Sequence, residues 1–273
     1  MTKCHIVLLC ALALLGGCKP SAQGPSLSEY GARSLAGQAA QFESYAALLQ
    51  TLPPMEAWVR QEALLAEAEA DSARWQQVVA LQEKFFLDPN SPYRNEECYL
   101  PVVAHLKASP HATQDQRDRA AWLEPRLLRN RPGTVAADFP FTLPGGRTTT
   151  LHAAIDSRHP QRTLLFFSNP GCANCKEITD ALTGDPRVEA LVAQGRLLVV
   201  NIYPDEDLQA WLDYLPEYPK AWISGYDAEQ ILNGDSCYWL RAIPSLYLLD
   251  DEKRVVLKDA PPERVVQMLI DGK

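Results

Sequence analysis

Apolar residues recur at helical spacing through the first half of the chain and in short continuous runs through the second, so two differently built regions are expected. Leu35, Ala39, Phe42, Tyr45, Leu49 and Leu52 trace one helical stripe, which Pro53-Pro54 stops. Met55, Trp58, Val59, Glu62 and Leu65 continue a second, weaker stripe. Trp75, Val78, Val79, Phe85 and Phe86 mark a third helix, closed by Asp88-Pro89-Asn90. Thr113 and Gln116 have the spacing of a capping box and open a last helix with Ala120, Leu123, Leu127 and Leu128 on its apolar face. These stripes read as core. Asn130-Arg131-Pro132-Gly133 then breaks the pattern, which sets a mostly α-helical domain over 27–131 apart from a second domain over 132–273.

The second domain reads as mixed α/β. Ala136–Phe141 and Thr148–Leu151 flank Leu143-Pro144-Gly145-Gly146-Arg147, the pattern of two short strands joined by a Gly-Gly turn. Thr163–Phe167 and Leu197–Tyr203 are continuous apolar runs, as in strands buried on both faces. Between them Asp185-Pro186 caps a helix holding Val188, Leu191 and Val192, ended by Gly195. Leu208, Trp211, Leu212 and Leu215 form a helical stripe. Ser245–Leu249 and Arg254–Leu257 make a hairpin around Asp250–Lys253, and Pro261-Pro262 open a closing helix with Val265, Val266, Leu269 and Ile270. The order is β-α-β-α-β-β-α, preceded by a short hairpin.

The candidate chemistry sits where the first buried strand ends. Cys172-Ala173-Asn174-Cys175 follows Asn169-Pro170-Gly171 at a helix start, so its two thiols can close a disulfide within one turn. A sulfur at the helix amino end faces unpaired N–H groups and the positive end of the dipole. That setting favours the thiolate and lowers the thiol pKa from about 8.5 toward about 7 or below. Cys172 is therefore the expected nucleophile. Cys175, one turn in, is the expected resolving thiol that attacks a mixed disulfide on Cys172. Lys176 is placed to add positive charge nearby, although an exposed helix lysine is the simpler expectation.

Composition narrows the alternatives. With 47% hydrophobic and 22% charged residues among 273, the chain is ordinary globular protein and not disordered. A formal charge of −8 without a Lys/Arg run argues against a nucleic-acid partner. A Cys-x-x-Cys pair invites structural zinc, but zinc wants four ligands and the sequence has no second pair. Copper delivery needs a histidine well downstream, and the last one, His159, precedes Cys172. His105 and His111 suit surface or capping roles. No Gly-x-Ser-x-Gly elbow or phosphate-binding Gly loop occurs. The expectation is no metal and no cofactor. The rival is a non-catalytic module that binds a protein partner and keeps its cysteine pair as a structural disulfide.

The element order with Cys-x-x-Cys at the first buried strand's end resembles the thioredoxin fold over about residues 135 to 273. That resemblance implies a central mixed sheet flanked by helices, and it puts Pro244, in Ile243-Pro244-Ser245, at the family's cis-proline position beside the redox pair. The Asn-Pro-Gly-Cys opening, the run Ala242–Asp250 and the segment Asn90–Glu97 are similar to thioredoxin-like lipoproteins of the Bacteroidota, which carry an amino-terminal helical domain. The resemblance implies a thiol–disulfide oxidoreductase acting on envelope protein thiols and disulfides with a further redox partner. Three positions depart from thioredoxin itself: Gly171 replaces a Trp, Phe166 stands in the place of a buried Asp, and Ala173-Asn174 replaces Gly-Pro. Glu177 is a candidate to supply that carboxylate instead, although a solvated helix residue is the simpler expectation. The dipeptide tunes the potential, which leaves the direction of electron flow open.

Two further features concern place and spare thiols. Lys3, an apolar run from Ile6 to Leu15, and Gly16-Gly17-Cys18 suit a secretory leader over 1–17, and Leu15–Cys18 resembles the lipobox of bacterial lipoproteins. That resemblance implies lipid on Cys18, a tether over 18–26, and a membrane anchored only through the lipid. Lys19-Pro20 lacks the retention Asp of inner-membrane lipoproteins, which favours the periplasmic face of the outer membrane. Cys4 and Cys10 would leave with the leader. Cys98 and Cys237 can bridge the two domains or stay apart as buried thiols, and Cys237, close ahead of Pro244, is a candidate third redox thiol.

Overall fold

The structure is a computed structural model and describes residues 35–232 and 237–271. The leader over 1–17, Cys18 with its tether, and residues 27–34 lie outside the described residues. The helical region comprises α1 (Leu35–Thr51), α2 (Pro54–Ala68), α3 (Ser72–Gln82), α4 (Glu96–Ala108) and α5 (Gln114–Leu127), with a π-helical turn over Glu83–Leu87 after α3. Local chemistry sets their starts. Asp71 accepts from the Arg74 N–H, Asn95 accepts from the Glu97 and Cys98 N–H groups, and Thr113 and Gln116 form the expected reciprocal capping box.

The second stripe is corrected. In α2 Met55 and Val59 are 74% and 58% exposed, while Ala57, Gln61, Leu64, Leu65 and Ala68 face the core. A buried glutamine decides the helix's orientation. The Gln61 amide donates to the Gln82 Oε1 and to the Cys98 carbonyl, both at 2.7 Å, and its Oε1 accepts from Tyr45 Oη at 2.9 Å. With its polar atoms satisfied, Gln61 is buried at little cost, and the apolar-only pattern misplaces the face by part of a turn. Leu128 likewise lies outside, as the half-exposed cap residue of α5. α4 is a further helix that the apolar stripes do not mark, and it holds Pro101 in its interior.

A seven-stranded mixed sheet forms the second region, in the order β2-β1-β5-β4-β3-β6-β7. Its strands are β1 (Pro140–Thr142), β2 (Thr148–Thr150), β3 (Arg162–Phe167), β4 (Leu197–Tyr203), β5 (Ile223–Tyr226), β6 (Ser245–Asp250) and β7 (Val255–Leu257). Its helices are α6 (Leu151–Asp156), α7 (Ala173–Gly184), α8 (Pro186–Ala193), α9 (Leu208–Tyr214) and α10 (Pro262–Asp271). β3 runs parallel to β4 and antiparallel to β6. Apolar clusters cover both sheet faces, one around Phe139, Phe167 and Tyr247 and the other around Phe166, Cys175 and Leu246. In α9 only Trp211 is buried, whereas Leu208 and Leu212 of the expected stripe are exposed.

β5 is the strand the apolar pattern did not reveal. It joins the β1–β2 hairpin to the main sheet, pairing parallel with β4 and antiparallel with β1. Its Gly225 carries no strand signal but is needed for packing. A Cβ there would stand 2.4 Å from Phe141 Cδ2 and 3.1 Å from the Thr142 carbonyl oxygen. Phe141 is itself buried, so it has little room to yield. Gly225→Ala is expected to destabilise the protein by about 1–3 kcal/mol, read as a lower urea midpoint with unchanged slope.

Candidate functional site

The register of the central strands assembles the site. Phe167, the last residue of β3, pairs with Ser245, the first of β6, so the loop after β3 and the segment before β6 emerge side by side at one sheet end. The first of these is Ser168–Gly171. Ser168 Oγ donates to Asn201 Oδ1 at 2.6 Å, and Asn169 Nδ2 donates to Asp205 Oδ2 at 2.5 Å, which ties the loop to β4 and the turn beyond it. Gly171 has φ of +72°, a backbone conformation that glycine enters without steric cost, and it turns the chain into α7.

Cys172 caps α7, and the Cys175 N–H points at its Sγ from 3.2 Å. That N–H is one of the donors that the first turn of a helix leaves without a partner in the helix. Cys172 and Cys175 form a disulfide, with Cα atoms 5.2 Å apart. Cys172 is half-buried and Cys175 is 4% exposed, so one sulfur faces outward and its mate faces the core. On the neighbouring segment the Ile243–Pro244 peptide bond is cis. Ile243 and Cys172 pack against the same apolar cluster.

Fully buried Phe166 belongs to that apolar cluster together with Cys175. This position of β3 therefore offers the inner thiol an arene and no carboxylate. Glu177 is exposed on α7. The Lys176 ammonium is held by Asp180, with Nζ–O distances of 2.7 and 2.8 Å, so its charge is taken up along the helix. Among the described residues, no group of three or more His, Cys, Asp or Glu is arranged to hold a metal ion. His105 lies between the carboxylates of Glu62 and Glu69, at 3.1 and 3.2 Å, and His111 Nε2 meets the Glu69 carbonyl at 2.9 Å.

The remaining thiols stay apart. Cys98 is a free thiol, 3% exposed in α4, and no bridge joins it to Cys237. Burial pushes the Cys98 thiol up to about 12, against a smaller opposing effect of Arg264. At pH 8 its thiolate fraction is then roughly one part in ten thousand. In native, mildly reduced protein, iodoacetamide should label Cys172 and spare Cys98, whose labelling rises only toward pH 12. Early peptide mass mapping with equal labelling at both positions would contradict this.

Residues 36–130 match the family described as "Domain of unknown function (DUF5106)". A thioredoxin-like protein from Bacteroides caccae, known from its crystal structure, is 34% identical and superposes with a TM-score of 0.78 over 87% of this chain and 84% of that one. The C-terminal domain of an uncharacterized protein from Bacteroides fragilis is 42% identical, over 51% of this chain and 97% of that one, with a TM-score of 0.48. The thioredoxin domain of a thiol-disulfide oxidoreductase from Bacteroides vulgatus is 18% identical, over 51% and 98% respectively, with a TM-score of 0.43. No curated protein matches the chain. Fold and cysteine pair together define a thioredoxin-like protein. The chain belongs to the family of the Bacteroides caccae protein, with a DUF5106 domain ahead of the thioredoxin-like one.

Proposed function

We propose that the protein is a lipid-anchored thiol–disulfide oxidoreductase of the cell envelope, exchanging electrons with protein dithiols and disulfides through Cys172 and Cys175. The observation that carries this reading is the disulfide itself: it caps a helix, joins a half-buried cysteine to a buried one, and packs against the same apolar cluster as Ile243, at the sheet end where β6 begins.

In the reducing direction, the Cys172 thiolate attacks one sulfur of a substrate disulfide. The substrate S–S bond breaks, a mixed disulfide forms, and the departing thiolate takes a proton. Cys175, deprotonated, then attacks the Cys172 sulfur, which releases the second substrate thiol and closes Cys172–Cys175. The substrate gains two electrons and two protons, and an external dithiol partner restores the reduced pair. The same steps in reverse oxidise a substrate dithiol. Pro244 has no N–H, which leaves the neighbouring backbone available to a bound substrate strand.

The leader and lipobox-like Leu15–Cys18 support export and lipid attachment at Cys18, and the residues after it favour the periplasmic face of the outer membrane. Several acyl chains hold such an anchor stably, at about 0.8 kcal/mol per buried CH₂. The test of activity is insulin-disulfide reduction by dithiothreitol, with full-length wild type set against Cys172→Ala. Equal rates would reject the assignment. Palmitate labelling that persists in Cys18→Ala would reject the anchor.

A further inference from the structure

The segment that leads into Pro244 belongs to the sheet domain by sequence but is rooted in the helical one. Trp239 is buried in the core cluster of the helical domain, edge-on to Trp122 of α5 at 5.9 Å between ring centroids. Two residues on, Arg241 has a side chain only 6% exposed. Its Nη1 donates to the Leu87 carbonyl at the end of the π-helical turn, and its Nε stands 3.2 Å from Glu96 Oε1 in the first turn of α4. The Asn130 amide holds the Cys237 carbonyl at 2.8 Å.

The same guanidinium reaches the residue directly after Pro244. Arg241 Nη2 lies 2.5 Å from Asp259 Oδ2, and the other oxygen of that carboxylate accepts from Ser245 Oγ at 2.8 Å. Asp259 is a non-glycine residue at φ of +42°, a conformation that side chains disfavour. The helical domain secures it there. Arg94 donates from Nε to the Asp259 carbonyl at 2.8 Å and from Nη2 to the Ala260 carbonyl at 2.9 Å. Strained backbone of this kind persists where its surroundings over-determine it, and it concentrates at functional sites.

We propose that the DUF5106 domain is a clamp on residues 239–245, with Trp239, Arg241 and Asp259 as positioning residues that set where Ile243–Ser245 stands relative to Cys172. The helical domain thereby shapes the edge on which a client polypeptide is received and carries no redox chemistry of its own. This rests on the proposed exchange activity only in naming what the edge receives. The placement of the segment stands separately.

The test uses the full-length protein and two variants of the same buried cluster. Arg241→Gln cuts the ties to Leu87, Glu96 and Asp259. Lys258→Met removes the other cation on Glu96, paired at 2.6 Å, without touching the segment. Native-state chymotrypsin cleavage after Trp239 or Leu240 is expected to speed up about tenfold in Arg241→Gln and to stay near wild type in Lys258→Met. KM for insulin should rise by a similar factor in Arg241→Gln, with kcat and the Cys172–Cys175 potential unchanged. Unchanged cleavage at this segment, equal acceleration in Lys258→Met, or acceleration spread evenly over both domains would overturn the clamp. If Arg241→Gln yields no folded protein, Asp259→Asn is read in the same way, since it keeps the volume and the Ser245 contact but drops the charge. Should wild type fail to reduce insulin, the proposed activity falls while the cleavage pattern still decides the clamp.

Discussion

Alanine at Cys172 is expected to lower the rate of dithiol–disulfide exchange at least about 100-fold, to the background of dithiothreitol alone. The size of the loss follows from the asymmetry of the pair. Cys172 is half-buried and its sulfur accepts from the Cys175 N–H at the start of α7, whereas Cys175 is 4% exposed in the cluster of Phe166, Ile178 and Leu182. An incoming disulfide can reach the first sulfur and not the second, so Cys175 cannot substitute for its mate. Cys175→Ser should instead keep the first step and lose the second, accumulating a mixed disulfide on Cys172 that survives acid quenching and shows as added mass. If Cys175→Ser traps nothing and Cys172→Ala turns over like wild type, the pair is a structural disulfide in a partner-binding module.

The second large effect is expected away from the sulfurs. Glu96→Ala should destabilise the protein by about 3–5 kcal/mol, visible as a lower midpoint in urea or heat. Glu96, Arg241 and Lys258 are respectively 2%, 6% and 3% exposed in their side chains. Glu96 is the shared counter-ion: Lys258 Nζ lies 2.6 Å from one oxygen and Arg241 Nε 3.2 Å from the other. Removing it leaves two cations in the interior, with Asp259 compensating only Arg241. The intact cluster need not add net stability, since desolvation offsets much of its attraction. Breaking it is costly because one sign of charge is stranded. A loss under about 1 kcal/mol would mean that water reaches the cluster.

The cysteine pair, the buried central strands and the closing hairpin were legible because each rests on a local signal: spacing within one helical turn, a continuous apolar run, or a charged turn between alternating segments. Met55 and Val59 misled because a pattern of apolar residues cannot register Gln61, whose burial depends on acceptors in α3 and α4 distant along the chain. Gly225 hid β5 for a similar reason, its value lying in the space it gives Phe141. Arg241 and Asp259 carry no signal of their burial in the local sequence. Nothing near them in sequence shows that Glu96 and Leu87 stand opposite, and long-range pairing of this kind becomes visible only once the two domains are placed together. The DUF5106 match over residues 36–130 and the Bacteroides caccae relative agree with the family resemblance carried by the sequence.

Phe166 has a kinetic corollary. With an arene in the cluster that holds Cys175, and no carboxylate at that position of β3, the inner thiol in the proposed exchange is expected to surrender its hydrogen to the departing sulfur or to bulk water. If the pair exchanges with clients as proposed, the covalent adduct on Cys172 is expected to live longer as the medium turns acidic, and its lifetime then depends on the surrounding pH as much as on the protein.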